Sequence, residues 1–271
     1  MKSFLLYLSL GALALGSALP DPASNAQVTA NAKKHLVFDC SDKQAGDTCQ
    51  NMCFGAKCQK LGSTFTWDQP SSSTQGKRSR LAGCGSGNRC SKAPYGKGYQ
   101  CDEYPFKSVK EADKGKQVNR CVKSRYNSRQ GNILKQFYYS QGQFKGKGCN
   151  RKAPCQFSVS FKQFSNQSYC RKGASCKNDN NEFTKSGPAK REEEVDASGY
   201  YRLGSGEIIF APDGAAVGDV VYQATFTNSN ATMSFESSAQ GGDDDADDVD
   251  DEDDEFEVEE DTIVEEVEDF E

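Results

Sequence analysis

Two adjacent carboxylates, Asp102 and Glu103, are the side chains of this sequence best suited to chemistry. They follow Cys101 and precede a Tyr-Pro-Phe sequence that ends at residue 106. Residues 33–185 around them hold 29 Lys and Arg against 10 Asp and Glu, so neighbouring acids stand out there. Carboxylates bind hard divalent cations, and basic surroundings attract a polyanion. The pattern fits a metal-dependent enzyme that acts on a polyanion, although composition alone favours two solvated surface charges.

The formal net charge of −6 conceals two unlike parts of the chain. Residues 243–271 hold 20 acidic and no basic residues, whereas the remainder holds 33 basic against 19 acidic residues. Like charges repel one another and bury little apolar surface, so we expect residues 238–271 to form a disordered acidic tail. This tail either keeps the protein soluble or contacts the basic domain intramolecularly and covers its anion-binding surface.

The N-terminus predicts export. Residues 1–18 combine Lys2, a short apolar run and small residues, which is typical of a secretory signal peptide, and residues 19–35 follow as a leader. No stretch is long enough for a membrane anchor. We therefore expect a secreted, extracellular protein without a membrane partner.

Twelve cysteines, all between residues 40 and 176, predict a disulfide framework in that oxidising compartment. A zinc site is not expected, because the chain has no Cys-x-x-Cys sequence and a single histidine. Three pairs share a spacing of five intervening residues and suggest local loop disulfides: Cys84/Cys90, Cys149/Cys155 and Cys170/Cys176.

Local patterns predict an α+β fold. Phe157, Val159 and Phe161 alternate with polar residues as in a strand, and residues 131–139 have the apolar spacing of a helix. Residues 69–80 are rich in serine and are expected to form a flexible loop. The prediction is a small disulfide-rich domain with antiparallel strands and one or two helices, plus a small β appendage and the acidic tail. Its boundaries are 36–176 for the domain, 177–198 for a linker with the dibasic pair Lys190-Arg191, and 199–237 for the appendage.

Several motifs resemble one family of nucleases. Cys-Asp-Glu-Tyr-Pro-Phe at residues 101–106 is followed by Arg-Cys-Val at 120–122, Asn-Ser-Arg-Gln-Gly at 127–131 and Phe-Tyr at 137–138. In this order and spacing, these motifs are similar to those of fungal members of the NucA/NucB family of secreted deoxyribonucleases. The resemblance covers roughly residues 36–165.

This resemblance implies a secreted endonuclease that hydrolyses DNA phosphodiester bonds with Mg²⁺ or Mn²⁺. It implies that Asp102 and Glu103 hold the metal or activate water, that Glu111 assists, and that Asn127 and Gln130 position the phosphate. The basic residues expected to bind the nucleic-acid backbone are Arg80, Lys107, Arg120, Arg125 and Arg129.

Two departures from the family pattern leave an alternative open. Glu111 is followed by Ala112-Asp113 where the family usually has two glycines, and Tyr126 takes a position that is commonly acidic. A catalytically inactive, secreted, cysteine-rich protein that binds nucleic acid or another polyanion is the alternative, and RNA is a further possible substrate. His35, the single histidine, falls in the predicted leader, so we expect a carboxylate, metal-bound hydroxide or bulk water to act as the base.

Overall fold

The chain folds around a closed β-barrel whose strands come from distant parts of the sequence. The computed structural model describes residues 33–41, 44–191, 198–227 and 255–268. Its strands are β1 (Lys34–Asp39), β2 (Thr64–Trp67), β3 (Tyr99–Tyr104), β4 (Val118–Lys123), β5 (Cys155–Lys162), β6 (Phe183–Thr184), β7 (Gly187–Pro188), β8 (Gly199–Leu203), β9 (Ile208–Ala211), β10 (Val220–Phe226) and β11 (Phe256–Glu266). Its α-helices are α1 (Gly46–Cys53), α2 (Ser72–Ala82) and α3 (Ser124–Tyr139).

Six strands close the barrel in the order β1-β10-β11-β8-β9-β5, and β5 pairs again with β1. The pairings of β1 with β10 and with β5 are parallel, and the other barrel pairings are antiparallel. β1 is apolar on both sides, because Val37 packs in one apolar cluster while Leu36 and Phe38 pack in another. Alternating side chains point to opposite faces of a strand, so both faces of β1 are buried.

The fold prediction was therefore wrong. The protein is mostly β, and the small domain of antiparallel strands with one or two helices is instead a β-barrel with few helices. Parallel pairing joins His35 to Ser158 and to Val221, segments more than 120 residues apart. Such long-range pairing leaves no local pattern in a sequence, because each strand alone shows only its own alternation.

The predicted β appendage and acidic tail also need correction. β8, β9 and β10, from the predicted appendage, supply half of the barrel, and β11 from the acidic tail lies between β10 and β8. The acidic side chains of β11 are largely exposed, whereas Phe256 and Ile263 are buried. Charge counting predicts disorder because it ignores which face each residue occupies. Residues 238–254 and 269–271 of the predicted tail lie outside the described residues.

A second sheet, in the order β3-β4-β6-β7, carries the predicted site. α1 and α3 contact this sheet, and their buried side chains share one apolar core with the outer face of the barrel. Phe137 of α3 illustrates the connection, since its ring packs against Phe157 of β5 and Tyr222 of β10. The barrel thus fixes the helices, and the helices fix the second sheet.

All twelve cysteines form disulfides, as expected, but only one of the three suggested local pairs is correct, Cys149–Cys155. The other bonds tie loops to regular structure: Cys40–Cys49, Cys53–Cys170, Cys58–Cys176, Cys84–Cys101 and Cys90–Cys121. Cys84 and Cys90, which share a turn-rich loop, are bonded to adjacent strands rather than to each other. Equal cysteine spacing therefore pointed to loops held by disulfides, but it did not predict which cysteines pair.

Local predictions had mixed outcomes. The strand through Phe157, Val159 and Phe161 is confirmed as β5, and the helix at residues 131–139 is the second half of α3. Residues 72–82 form α2 rather than a loop, and the Ser71 hydroxyl accepts a hydrogen bond from the Thr74 amide at its N-terminus. The predicted signal peptide lies outside the described residues. No helix in the described part of the chain has the length and hydropathy needed to cross a membrane.

Two adjacent residues of β11 provide a test of whether this strand belongs to the barrel in solution. Ile263 is fully buried in the apolar cluster with Val37, whereas Val264 lies at a bulge and is exposed. Ile263→Ala should lower the free energy of unfolding by about 2–5 kcal/mol, and Val264→Ala by no more than about 0.5 kcal/mol. Urea unfolding followed by tryptophan fluorescence measures both. Equal, negligible effects would show that β11 does not belong to the barrel in solution.

Candidate active site

A cleft of about 740 Å³ lies where β3 forms the end of the second sheet. Five consecutive residues of β3, 99–103, line it. Gln75 and Ser79, one turn apart on α2, line it as well, and α3 contributes residues 127–132, 134, 135, 138 and 139. The edge of β3 thus forms the floor of a cleft whose walls are two helices.

Asp102 is the most enclosed carboxylate of this cleft, with 2% of the residue exposed. The Asn51 side-chain amide, on α1, donates to its Oδ2 at 2.9 Å and to its backbone carbonyl at 3.0 Å. Burial raises the pKa of Asp102 well above its usual value, and the nearby charges of Glu103 and Glu182 raise it further. The hydrogen bond from Asn51 and the Gln130 side chain oppose this shift. Asp102 is therefore held in one orientation and binds a proton more readily than an ordinary aspartate.

Glu103 also lines the cleft, with 9% of the residue exposed. Consecutive residues of a strand point to opposite faces, so the two acids flank the edge of β3 from different sides. The cross-strand neighbour of Glu103 is Asn119, whose side-chain amide donates to the Ala82 carbonyl at 2.7 Å. The Glu103 side of β3 consequently faces α2, and the Asp102 side faces α1.

Asn127 and Gln130 stand on the α3 wall. Both line the cleft, and the Asn127 amide donates to Gln100 Oε1 at 2.7 Å, which joins α3 to β3. Asn127 lies in the first turn of α3, which begins at Ser124. The structure thus brings four of the five predicted catalytic residues to one cleft.

Arg120 does not reach the cleft. It lies opposite Asp102 in the strand pair, is buried, and forms ion pairs with Glu182 at 2.6 Å and Asp179 at 2.8 Å. Burial raises the pKa of Glu182 to about 7, although Arg120 opposes the shift. The predicted phosphate contact at Arg120 is replaced by an internal ion-pair network behind Asp102.

The other predicted basic contacts divide between the cleft and the remaining surface. Lys107 and Arg129 line the cleft, together with Lys135, which the sequence did not single out. Arg129 is nevertheless buried, and its guanidinium lies 4.5 Å from the ring centre of Phe226. Arg80 and Arg125 do not line the cleft, and Arg125 lies over the ring of Tyr126 at 5.5 Å.

Comparison with known proteins identifies the segment that builds this cleft. Residues 52–148 match the family model described as Deoxyribonuclease NucA/NucB. The chain carries a NucA/NucB domain. Every residue that lines the cleft, from Trp67 to Tyr139, falls within the matched segment. No curated protein and no solved structure matches the chain.

Glu111 of the NucA/NucB domain is the one predicted catalytic residue that does not line the main cleft. It borders a smaller pocket with Lys60, Lys114 and Lys116, and its Oε2 accepts a hydrogen bond from the Thr66 amide at 2.9 Å. Thr66 precedes Trp67, which lines the main cleft. Through its hydrogen bond to Thr66, Glu111 therefore positions β2 and does not contact a substrate bound in the main cleft directly.

Sequence reasoning missed two side chains that influence Asp102. Asn51 orients Asp102 from 51 residues away, and Glu182 adds its charge from beyond the matched segment. Neither has a local signal, because a buried amide or carboxylate looks like any surface polar residue in a sequence. Asn51 lies between Cys49 and Cys53, two buried half-cystines of α1, and this was the one available hint that it is enclosed.

We predict that Glu111 contributes to stability more than to chemistry. Glu111→Ala removes the acceptor for the Thr66 amide and should lower the free energy of unfolding by about 1–3 kcal/mol. Glu111→Gln keeps a carbonyl acceptor and should recover most of this loss. Chemical denaturation and nuclease assays on both variants provide the measurements. Loss of all cleavage by a stably folded Glu111→Gln variant would assign Glu111 a catalytic role.

We also predict a pH signature for the buried Glu182. Its folded-state pKa of about 7 exceeds the ordinary value of 4.5, so its neutral form contributes stability below pH 4.5 that is lost as pH rises through 7. Glu182→Gln does not titrate, so wild type should lose up to about 3 kcal/mol relative to this variant across that range. Melting temperatures of both proteins at pH 5 and pH 8 test this. A difference between them that does not change with pH contradicts it.

Proposed function

We propose that this protein is a secreted endonuclease that hydrolyses DNA phosphodiester bonds in the cleft along β3, with Mg²⁺ or Mn²⁺ as cofactor. The proposal rests on one observation: the cleft lies entirely within the segment that matches the family model. The residues matched to the NucA/NucB model include the whole lining of the cleft, with two enclosed carboxylates on its floor. The six disulfides support the secreted location, because such bonds persist in oxidising compartments.

The donor atoms of the cleft fit a magnesium-type ion. Asp102 and Glu103 each offer a carboxylate, one on either side of β3, and Asn127 and Gln130 offer amide oxygens. No cluster of three or more His, Cys, Asp or Glu side chains able to hold a metal occurs among the described residues. Mg²⁺ needs none, because it keeps several waters and binds through one or two carboxylates. When bound, the ion would neutralise phosphate charge and make its water more acidic.

The residues of the chain supply the remaining requirements. Burial raises the pKa of Asp102, so this carboxyl group holds a proton more readily than an exposed one, and Asn51 fixes its orientation. Asn127 and Gln130 can donate amide hydrogens to a phosphate, and Lys107 and Lys135 add positive charge along the cleft.

His35 takes no part in this proposal. It is fully buried in β1, where its ring nitrogens lie 3.0 Å from Ser160 Oγ and 3.2 Å from Asp219 Oδ2. It therefore belongs to the barrel and not to the predicted leader. A carboxylate or a solvent-derived base remains the proposal for water activation.

We predict that Asp102→Asn abolishes cation-dependent nicking of supercoiled plasmid DNA without loss of stability. The amide is close in shape to the carboxyl group and can still accept the hydrogen bond from Asn51. Burial disfavours the charged carboxylate, so at pH 7 the variant should melt no lower than wild type. Nicking assays with Mg²⁺ or Mn²⁺, with and without chelator, and thermal melting give the two readouts.

Asp47→Asn is the matched control. Asp47 is a half-exposed acid on α1 that does not line the cleft, so this variant should nick plasmid at the wild-type rate. Wild-type activity in Asp102→Asn would reject the site assignment. A folded wild-type protein that cleaves neither DNA nor RNA with either cation would favour the inactive, polyanion-binding alternative.

A further inference from the structure

We infer that the cleft takes an unpaired strand of nucleic acid, with one base stacked on Tyr99, and that the protein prefers single-stranded over duplex substrates. The inference rests on the proposed function in one respect, since it takes the same cleft as the place of reaction. It adds the substrate class and a residue that selects it.

The depth of the carboxylates is the first reason. Asp102 and Glu103 are almost fully enclosed, on the floor between α2 and α3. The cleft volume of about 740 Å³ is in the range of small-molecule pockets, about 300–1,000 Å³. Such a space accepts a few nucleotides of flexible chain, whereas a rigid duplex would have to rest on the rim. A phosphate reaches the floor only if its strand enters the cleft.

Tyr99 is the second reason. Among the described residues, three large hydrophobic side chains are exposed, and Tyr99, with 36% of the residue exposed, is the one that lines the cleft. The other two, Val217 and Val264, do not line it. An exposed ring that lines a nucleic-acid cleft offers a π-face on which any base can stack.

The ring of Tyr99 is also held in place. Tyr95 packs edge-on against it with ring centres 5.3 Å apart. The Tyr95 hydroxyl donates to Asn181 Oδ1 at 2.8 Å, and the Arg89 guanidinium lies 5.8 Å from the Tyr95 ring centre. A ring that is already ordered loses little conformational entropy when a base stacks on it. Tyr99 is thus a preorganised platform rather than a mobile surface side chain.

Aromatic residues continue along the α3 wall. Trp67 stacks parallel to Tyr138 with ring centres 5.0 Å apart, and Tyr139 meets Trp67 edge-on at 5.3 Å. Trp67 and Tyr138 are buried, so they support the wall, while the partly exposed Tyr139 borders the open cleft. Lys107 and Lys135 line the same space. Aromatic rings interleaved with basic groups are the usual means of binding single strands.

Two of the five basic residues predicted from the sequence are not available to bind a duplex on the surface. Arg120 is buried in ion pairs with Glu182 and Asp179, and Arg129 is buried against Phe226. Duplex binding relies on many exposed contacts to two phosphate backbones. Because Arg120 and Arg129 are buried, they cannot contact the phosphates of a duplex on the surface. This favours binding of nucleic acid inside the cleft.

The test compares one labelled oligonucleotide as a single strand and annealed as a duplex, with Mg²⁺, at fixed ionic strength. We expect the wild-type kcat/KM to be at least about tenfold higher for the single strand. Tyr99→Leu keeps an apolar side chain but removes the π-face, and it should raise KM for the single strand about tenfold with little change in kcat. Tyr99→Phe keeps the ring and should stay near wild type.

Val217→Ala, which removes exposed apolar surface elsewhere, is the matched control and should not change either constant. Circular dichroism confirms that each variant is folded. Equal kcat/KM values for both substrates, or an unchanged KM in Tyr99→Leu, would overturn the inference.

Binding separates this inference from the proposed function. Fluorescence anisotropy with the same oligonucleotides in chelator needs no catalysis. Tighter binding of the single strand, weakened about tenfold by Tyr99→Leu, would support the inference even if wild type cleaves nothing and the proposed function fails. Equal binding of both forms, or no effect of Tyr99→Leu, would reject it whether or not the protein is a nuclease.

Discussion

The cross-strand pair Cys101 and Cys121 fixes the geometry on which the site depends. These residues lie opposite each other on β3 and β4, and each is bonded to the loop between α2 and β3, through Cys84 and Cys90 respectively. A one-residue slip between two strands would move every side chain to the opposite face. Two disulfides at one rung prevent this slip, and Asp102 is the next residue along the strand. The position of the central carboxylate is therefore set by covalent bonds as well as by hydrogen bonds.

Near the Cys101/Cys121 pair, the protein buries ionisable groups that water would otherwise stabilise in their charged form. Asp102 and Glu182 both have raised pKa values because of burial, and Arg120 offsets the effect only at Glu182. Enclosed carboxyl groups reduce stability, and folds retain them mainly where chemistry benefits. The apolar core shared by the barrel and helices, with six disulfides, provides the stability that this arrangement requires.

The sequence indicated four of the residues that line the candidate site, but little of the architecture. The motifs drew attention to Asp102, Glu103, Asn127 and Gln130, which the structure places in one cleft, because the order of motifs in a sequence can be recognised without knowledge of the fold. β5 and half of α3 were found because apolar periodicity is local. Arg120 was misjudged because composition counts charges without showing which of them pair internally. The barrel was missed because its closure joins β1 to segments more than 120 residues away, and nothing near β1 records those partners.

The position of β11 in the barrel has a consequence for how the chain folds during synthesis. β10 and β8 are both made before β11, the last described strand in the sequence, which must then fit between them. Until that strand emerges, both neighbours present unpaired backbone edges, which invite association with other chains. The acidic residues that β11 carries on its exposed side give it the charge that discourages such association. β11, which completes the barrel, thus also carries the negative charge that discourages association of the exposed barrel surface with other molecules.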